Sequence, residues 1–102
     1  MSDWPPPEAR YGSALRRGER HLLRGEWYAA STCFSAAAEL AGEGDRESVR
    51  ALFHLAVAGY KRQRGDERGA ARQLSHARRR LGGAATAAGL DVAPLLARVG
   101  PG

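Results

Sequence analysis

The side chains best suited to chemistry in this 102-residue chain are three histidines and one cysteine. His21, His54 and His76 fall on three different predicted helices, and none has a His, Cys, Asp or Glu four residues away. A metal site needs several such ligands at helical or turn spacing, so we predict neither a metal nor a cofactor. Cys33 stands alone on the predicted apolar side of its helix, where a thiol behaves as a small hydrophobic group. The sequence therefore assigns no catalytic residue.

His54 has the neighbours that give a histidine the widest choice of roles. Arg50 and Lys61 share its side of a predicted helix, so this group can hold an anion if it faces a groove. If His54 is partly buried instead, it is neutral and held by hydrogen bonds. Both interpretations stay open, and the first includes the hypothesis of an enzyme whose pocket lies near His54 and Arg50.

Basic charge is concentrated in one segment of the chain. Residues 61–80 hold eight basic side chains against Asp66 and Glu67, a net charge of +6, whereas the whole chain carries +5. Five basic residues recur there at steps of three and four, which places them along one side of a helix: Arg68, Arg72, His76, Arg79 and Arg80. Such a stripe can lie along nucleic-acid phosphates or an acidic protein. Because no aromatic residue is interleaved with it, a merely solvated basic face remains the alternative.

Helices must position these side chains, and the most apolar run marks the central helix. Between Val49 and Tyr60, apolar residues recur at the spacing that places side chains on one face of an α-helix. These residues are Val49, Leu52, Phe53, Ala56, Val57 and Tyr60. The opposite side also carries small and apolar residues such as Leu55 and Gly59, which predicts neighbours on more than one side.

Glycine turns separate the central helix from its neighbours. The remaining periodicity predicts a first helix from Glu8 or Arg10 to Arg24, further helices over residues 27–41 and 66–81, and a short helix over 91–99. Gly25, Gly65 and Gly82 follow predicted helix ends, where glycine commonly adopts the left-handed conformation. Asp45 and Asp91 precede apolar periodic segments, so we expect each to be an N-cap.

Two parts of the chain resemble each other at an offset of forty positions. The matching pairs are Gly25 with Gly65, Ala30 with Ala70, Phe34 with Leu74, and Ala37 with Ala77. Each part is a helix, a glycine turn with an acidic residue, and a second helix, which is typical of helical-hairpin repeats such as the tetratricopeptide unit. Two units are too few for a solenoid. The predicted fold is all-α: a compact antiparallel bundle of about four main helices plus a short C-terminal one.

A single domain accounts for the chain. We expect a proline-rich tail over residues 1–9, a helical bundle over 10–81, and a Gly/Ala linker with a short helix packing on the bundle over 82–102. No apolar run has membrane-spanning length, and the N-terminus lacks the basic start and apolar core of a signal peptide. A single cysteine is typical of a reducing compartment. These features predict a cytoplasmic protein that does not bind membranes.

Apolar and small residues of the three central helices resemble the pattern of a known family of small prokaryotic proteins. They include Gly25, Trp27, Tyr28, Leu52, Phe53, Ala56, Ala58, Tyr60, Gly65, Gly69, Ala70, Leu74, Ala77 and Leu81. This chain is similar to the domain of unknown function family numbered three hundred and nine, over roughly residues 15–81. The resemblance implies an all-α bundle with no established activity.

That family carries histidine, glutamate, a further glutamate and tryptophan on its second helix. The matching positions here are Ser31, Thr32, Ser35 and Ala38, so the resemblance brings no active site with it. His54 falls where the family tends to have glutamine. Whatever polar cluster the family builds on that helix is absent from this sequence.

We favour a non-enzymatic interaction or scaffold module. Its partner can be another protein or a second copy, because alanine-rich faces with Trp27 and Tyr28 can pack into a homodimer. The first alternative is a nucleic-acid-associated protein that uses the arginine-rich face of residues 61–80. The second is the enzyme with a pocket near His54.

Overall fold

The computed structural model describes residues 7–101, with side chains described from Ala9 onwards. Within that range the helices are α1 (Pro7–Leu23), α2 (Trp27–Leu40), α3 (Glu43–Gln63), α4 (Glu67–Leu81) and α5 (Val92–Val99). Two short strands, β1 (Thr86–Ala87) and β2 (Leu90–Asp91), pair antiparallel with each other. The predicted all-α bundle is confirmed. None of the described helices is long and apolar enough to cross a membrane.

The first helix begins earlier than the sequence suggested. Positions 1–6 of the predicted tail lie outside the described residues, but positions 7–9 already belong to α1. Proline is favourable at the first helical position because its missing N–H would have no helical partner there. The end of the proline run therefore starts the helix instead of delaying it.

Two turns of the same geometry join the main helices into two hairpins, α1 with α2 and α3 with α4. In each turn the glycine N–H bonds the carbonyl three residues earlier, and the next N–H bonds the carbonyl five residues earlier, at 2.9 to 3.0 Å. This is the Schellman arrangement, which requires a left-handed residue after the helix end. Gly25 has φ +74° and Gly65 has φ +82°. The forty-residue correspondence in sequence is thus also a repeat of structure.

Helix α3 is the central element because it packs against α2, α4, β1 and α5. Its fully buried residues include Val49, Ala51, Leu52, Leu55, Ala56 and Ala58. The observed buried face is therefore rotated about the helix axis relative to the predicted one, since Phe53, Val57 and Tyr60 are only half-buried. Neighbours on several sides bury most of the helix, including Leu55 and Gly59 of the side predicted to be less apolar, and leave one narrow side of α3 open to solvent.

Helix α5 fills the space between the two hairpins and contacts both α1 and α3. Leu95 is completely buried there. Hydrogen bonds fix both sides of its last turn: Arg62 Nη1 donates to the Val99 carbonyl at 2.7 Å, and Arg98 Nε donates to the Leu23 carbonyl at 3.0 Å. The C-terminal helix is therefore a structural bridge between the hairpins.

The segment between α4 and α5, predicted as a Gly/Ala linker, contains two short strands. Its two strands form a tight hairpin whose turn residues, Ala88 and Gly89, both have positive φ. Ala87 and Leu90 are buried. Burial of apolar side chains on one face of this hairpin explains why so short a sheet holds its position.

The predicted N-cap at Asp45 is wrong. Helix α3 begins at Glu43 with Gly42 as its N-cap, so Asp45 lies within the first turn. Its carboxylate instead accepts a hydrogen bond of 2.9 Å from the Tyr11 hydroxyl of α1. Asp91 does occupy the N-cap position of α5, but its side chain makes no capping hydrogen bond. Asp66 is a true cap, accepting from the Gly69 N–H at 2.8 Å.

Candidate anion-binding face

One side of α3 faces solvent between α2 and α4, and we call this surface the open face. It carries Arg46, Arg50, Phe53, His54, Val57, Tyr60 and Arg64, all exposed or half-buried. These residues recur every three or four positions, which keeps them on one side of the helix. The neighbouring sides of α2 and α4 contribute Tyr28, Gln73, His76 and Arg80. Basic, aromatic and polar groups therefore meet on one surface.

Two tyrosines and an arginine form one end of the open face. Tyr28 of α2 is 72% exposed, and its ring centroid lies 6.3 Å from that of Tyr60 on α3. The Arg64 guanidinium lies 5.5 Å from the centre of the Tyr60 ring, a cation–π distance. This aromatic cluster lies beside Arg64 of the open face and not among the arginines of the predicted α4 stripe. Tyr28 is 32 residues away from Tyr60 in sequence, so only tertiary packing brings it there.

His54 lies in the groove between α3 and α4. Its Nδ1 is 2.7 Å from Gln73 Oε1, so the ring donates to the amide oxygen, and its ring centroid is 5.4 Å from that of His76. Burial lowers the pKa of His54; the Gln73 hydrogen bond opposes this shift, and the charges of Arg80, His76 and Arg50 lower the pKa further. These three basic groups therefore disfavour the charged form of the His54 ring.

Glu47 lies between two arginines of this groove. Its Oε2 is 3.3 Å from Arg50 Nη1, and its Oε1 is 3.3 Å from Arg80 Nε. Arg80 Nη1 also donates to the His76 carbonyl at 3.4 Å. Arg80 Nε is buried and has no hydrogen-bond partner of good geometry among the described residues. The carboxylate thus pairs with both guanidinium groups, at distances longer than those of good charge-assisted hydrogen bonds.

The structure divides the predicted basic stripe of α4 into two parts. Arg68, Arg72 and Arg79 are exposed and make no ion pair with another described side chain. They span about 16 Å along the helix. His76 and Arg80 are half-buried and turn towards α3. Only this second pair joins Arg50 and His54 in the groove.

Two cavities of the described chain have volumes near 500 Å³. One of about 500 Å³ lies between the end of α4 and α5, with an apolar lining that includes Leu81, Val92 and Leu96. The other, about 480 Å³, is a shallow groove lined by the hydroxyl residues Ser31, Thr32 and Ser35 beside the exposed tyrosine of α2. His54 lines neither cavity. Within residues 7–101, no group of three or more His, Cys, Asp or Glu could hold a metal ion.

The hydroxyl groove coincides with the positions where the resembled family has its polar cluster. Ser31 Oγ and Thr32 Oγ1 both donate to the Tyr28 carbonyl, at 2.7 and 3.1 Å, so these hydroxyls already have partners. Comparison of the chain with protein-family models, curated proteins and solved structures finds no match. The family resemblance over residues 15–81 stays a prediction, and the function is inferred from geometry.

Proposed function

We propose that this protein is a non-enzymatic interaction module that binds an acidic segment of a partner protein on the open face. The observation that carries the proposal is the exposed cluster of Tyr28, Tyr60 and Arg64 beside the basic groups of α3 and α4. Tyrosine and arginine dominate the binding energy of protein interfaces because they combine large contact area with hydrogen bonding and charge. A partner that covers this cluster buries the Tyr28 ring, which is 72% exposed in the free chain.

The basic charge around the aromatic cluster also favours an acidic partner. The basic residues flanking the aromatic cluster attract an acidic segment at long range and raise its association rate. Shape supports the same conclusion, because helical-hairpin repeats present extended surfaces instead of enclosed pockets. A cytoplasmic location and a prokaryotic source belong to the same proposal and rest on sequence alone.

Self-association is the form of this proposal in which the partner is a second copy. Trp27 cannot contribute as the sequence suggested, because it is buried under the guanidinium of Arg98, 5.4 Å from the ring centroid. Tyr28 is the aromatic residue of that pair which remains available. A homodimer would therefore have to use Tyr28 and its neighbours on α3.

A nucleic-acid partner is the second candidate, and the outer side of α4 favours it. Arg68, Arg72 and Arg79 are exposed and form no ion pairs within the described chain. Arginines free of internal partners can neutralise phosphates and release their counterions, which gives strongly salt-dependent binding. Tyr28 offers a ring on which a base can stack.

Fluorescence anisotropy distinguishes the two candidates. The probes are a labelled oligoglutamate peptide and a labelled oligothymidylate of equal length, each titrated at low and moderate salt. The variants are Tyr28→Ala and the triple change Arg68→Gln, Arg72→Gln, Arg79→Gln. The control changes Arg16→Gln and Arg17→Gln remove exposed basic charge from α1, away from the open face.

We expect micromolar peptide binding that Tyr28→Ala weakens about tenfold, as for an interface hot spot, and that the α1 control leaves almost unchanged. Preferential binding of the oligonucleotide, lost in the triple variant, would replace the first proposal with the second. Equal weakening by the α1 control would show that net charge alone causes binding and would contradict both. Sedimentation equilibrium of the native chain and Tyr28→Ala tests self-association in parallel.

A further inference from the structure

We infer that Arg50, His54, His76 and Arg80 form a binding site for a phosphate dianion, and that Glu47 is a built-in competitor for it. The site lies in the α3–α4 groove and does not depend on the identity of a macromolecular partner. Its ligand is a tetrahedral oxyanion, either free phosphate or the phosphate of a nucleoside monophosphate. Neither the aromatic cluster nor the outer arginines of α4 belong to it.

Geometry provides the first support. The four groups come as two pairs, each with the i, i+4 spacing that aligns side chains on one helix face. Packing brings the pairs together, so that the two imidazole centroids lie 5.4 Å apart. Both guanidinium groups approach one carboxylate, that of Glu47, at 3.3 Å each. The groove therefore already holds an oxyanion between its two arginines.

The geometry of the two Glu47–arginine contacts indicates that a bound anion can displace the Glu47 carboxylate. Charge-assisted hydrogen bonds between nitrogen and oxygen are about 2.7 to 2.9 Å long, so both Glu47 contacts are stretched. Arg80 Nε remains a buried donor without a well-aligned acceptor. The Glu47 side chain is 63% exposed, so it can swing into solvent at little cost. A phosphate has enough oxygens to satisfy both arginines and an imidazole at once.

Electrostatics gives independent support. Arg50, His76 and Arg80 face His54 from α3 and α4, and Glu47 is the acidic group that contacts both arginines. The charges of those three basic groups lower the pKa of His54 beyond the effect of burial. A bound dianion reverses this effect and favours the protonated ring. By linkage, protonation of His54 must strengthen anion binding.

Isothermal titration with inorganic phosphate tests the site through matched pairs of variants. Glu47→Gln removes the competitor, and Glu43→Gln makes the same change of charge one turn earlier in α3. We expect Glu47→Gln to tighten phosphate binding about fivefold, the value of a surface ion pair near 1 kcal/mol, and Glu43→Gln to do so much less. Arg80→Gln should weaken binding about tenfold, whereas Arg79→Gln on the outer side of α4 should not.

Equal effects within either pair would overturn the site, because binding would then follow net charge only. Absence of phosphate binding to Glu47→Gln would overturn it as well. Adenosine monophosphate distinguishes the two sources: tighter binding than inorganic phosphate identifies a nucleotide phosphate, and equal binding identifies free phosphate. Both results require the same four residues.

A second measurement isolates the role of His54. Sulfate stays a dianion between about pH 5.5 and pH 8, so any pH dependence of its binding comes from the protein. Affinity for sulfate should rise as the pH falls through this range, and His54→Gln should flatten the rise. A profile that His54→Gln leaves unchanged would remove His54 from the site.

Discussion

At the scale of single residues, two glycines determine how closely the helices of the bundle approach. A Cβ at Gly59 of α3 would overlap the indole ring of Trp27, and a Cβ at Gly18 of α1 would overlap the ring of Phe34. Both aromatic rings belong to α2. Helix α2 therefore packs against α1 and α3 at positions where only glycine leaves room for its aromatic rings.

Replacement of Gly59 by alanine tests this packing directly. The added methyl group must displace the buried Trp27 ring, so we expect the free energy of unfolding to fall by about 1 to 3 kcal/mol. Gly44→Ala is the matched control, because a Cβ at that helical position meets no atom within 4 Å. Because Gly44 lies in the first turn of α3, helix propensity should leave stability unchanged or raise it by up to about 1 kcal/mol. Urea denaturation of both variants measures the two effects, and equal changes would contradict the packing.

The lowered pKa of His54 predicts a pH dependence of stability. Above the ordinary value of 6.5, the ring is neutral in both folded and unfolded chains. As the pH falls below that value, the unfolded chain binds the proton first, so the free energy of unfolding decreases. His54→Gln cannot titrate and should lack this part of the decrease.

Urea denaturation of the native chain and His54→Gln, from about pH 5 to pH 8, measures this contribution. The buffers must contain neither phosphate nor sulfate, because either can bind in the groove. The stability of the native chain relative to the variant should decline towards acidic pH. A constant difference across the range would show that burial does not disfavour the charged ring.

At the scale of elements, the two Schellman turns set the direction of each second helix. Gly25 and Gly65 both have positive φ, but their surroundings differ. A Cβ at Gly25 would lie 2.5 Å from a guanidinium nitrogen of Arg98, whereas a Cβ at Gly65 would meet no atom within 4 Å. A substitution at Gly65 therefore tests the backbone conformation of the turn without any effect of packing.

Substitutions at Gly65 should follow the intrinsic cost of the left-handed conformation. We expect Gly65→Ala to lower the melting temperature and to cost about 1 to 2 kcal/mol. Gly65→Asn should cost less, because asparagine tolerates this conformation at helix ends. Calorimetry of the two variants gives the order. Equal stability of the alanine and asparagine variants would mean that the turn relaxes to another geometry.

At the scale of the whole molecule, α5 joins hairpins that otherwise meet through α2 and α3. Leu95 is the fully buried anchor of this helix, and Arg62 and Arg98 fix its last turn to α3 and α1. Such a bridge couples the two hairpins into one cooperative unit. Without it, the two hairpins would be held together mainly by the contact between α2 and α3.

Truncation of Leu95 to alanine should therefore weaken the whole fold. We expect a loss of about 2 to 5 kcal/mol in the free energy of unfolding, from lost burial and the cavity left behind. Hydrogen exchange should show faster global opening of α1 and α3 alike. Leu96→Ala, a half-buried neighbour on the same helix, is the control. Faster exchange confined to α5 would show that it docks without coupling the hairpins.

Much of this architecture follows from periodicity and glycine placement. The helix pattern and the forty-residue offset predict the two hairpins, because both depend on local sequence. The β-hairpin could not be predicted in this way, since its turn places Ala88 at φ 51°, a conformation that alanine rarely adopts. Burial of the flanking apolar residues compensates for that local cost.

The residues of the candidate sites could also be predicted from sequence only where they lie on the same helix. Arg50 with His54, and His76 with Arg80, are visible in sequence as two i, i+4 pairs. Their meeting across the α3–α4 groove is a property of packing and has no local pattern. Glu47 gave no signal either, because its role comes from its position between arginines of two helices.

The position of α5 between the hairpins has a consequence for how the protein is made. Arg98 bonds a carbonyl of α1 that precedes it by 75 residues. Translation at about 5 to 20 residues per second separates the two by about 4 to 15 s. Until α5 has been made, the sides of α1 and α3 that it covers are open on the nascent chain. Synonymous codons that slow translation between α4 and α5 would prolong this exposure and increase the insoluble fraction of newly made protein, with no change in its amino-acid sequence.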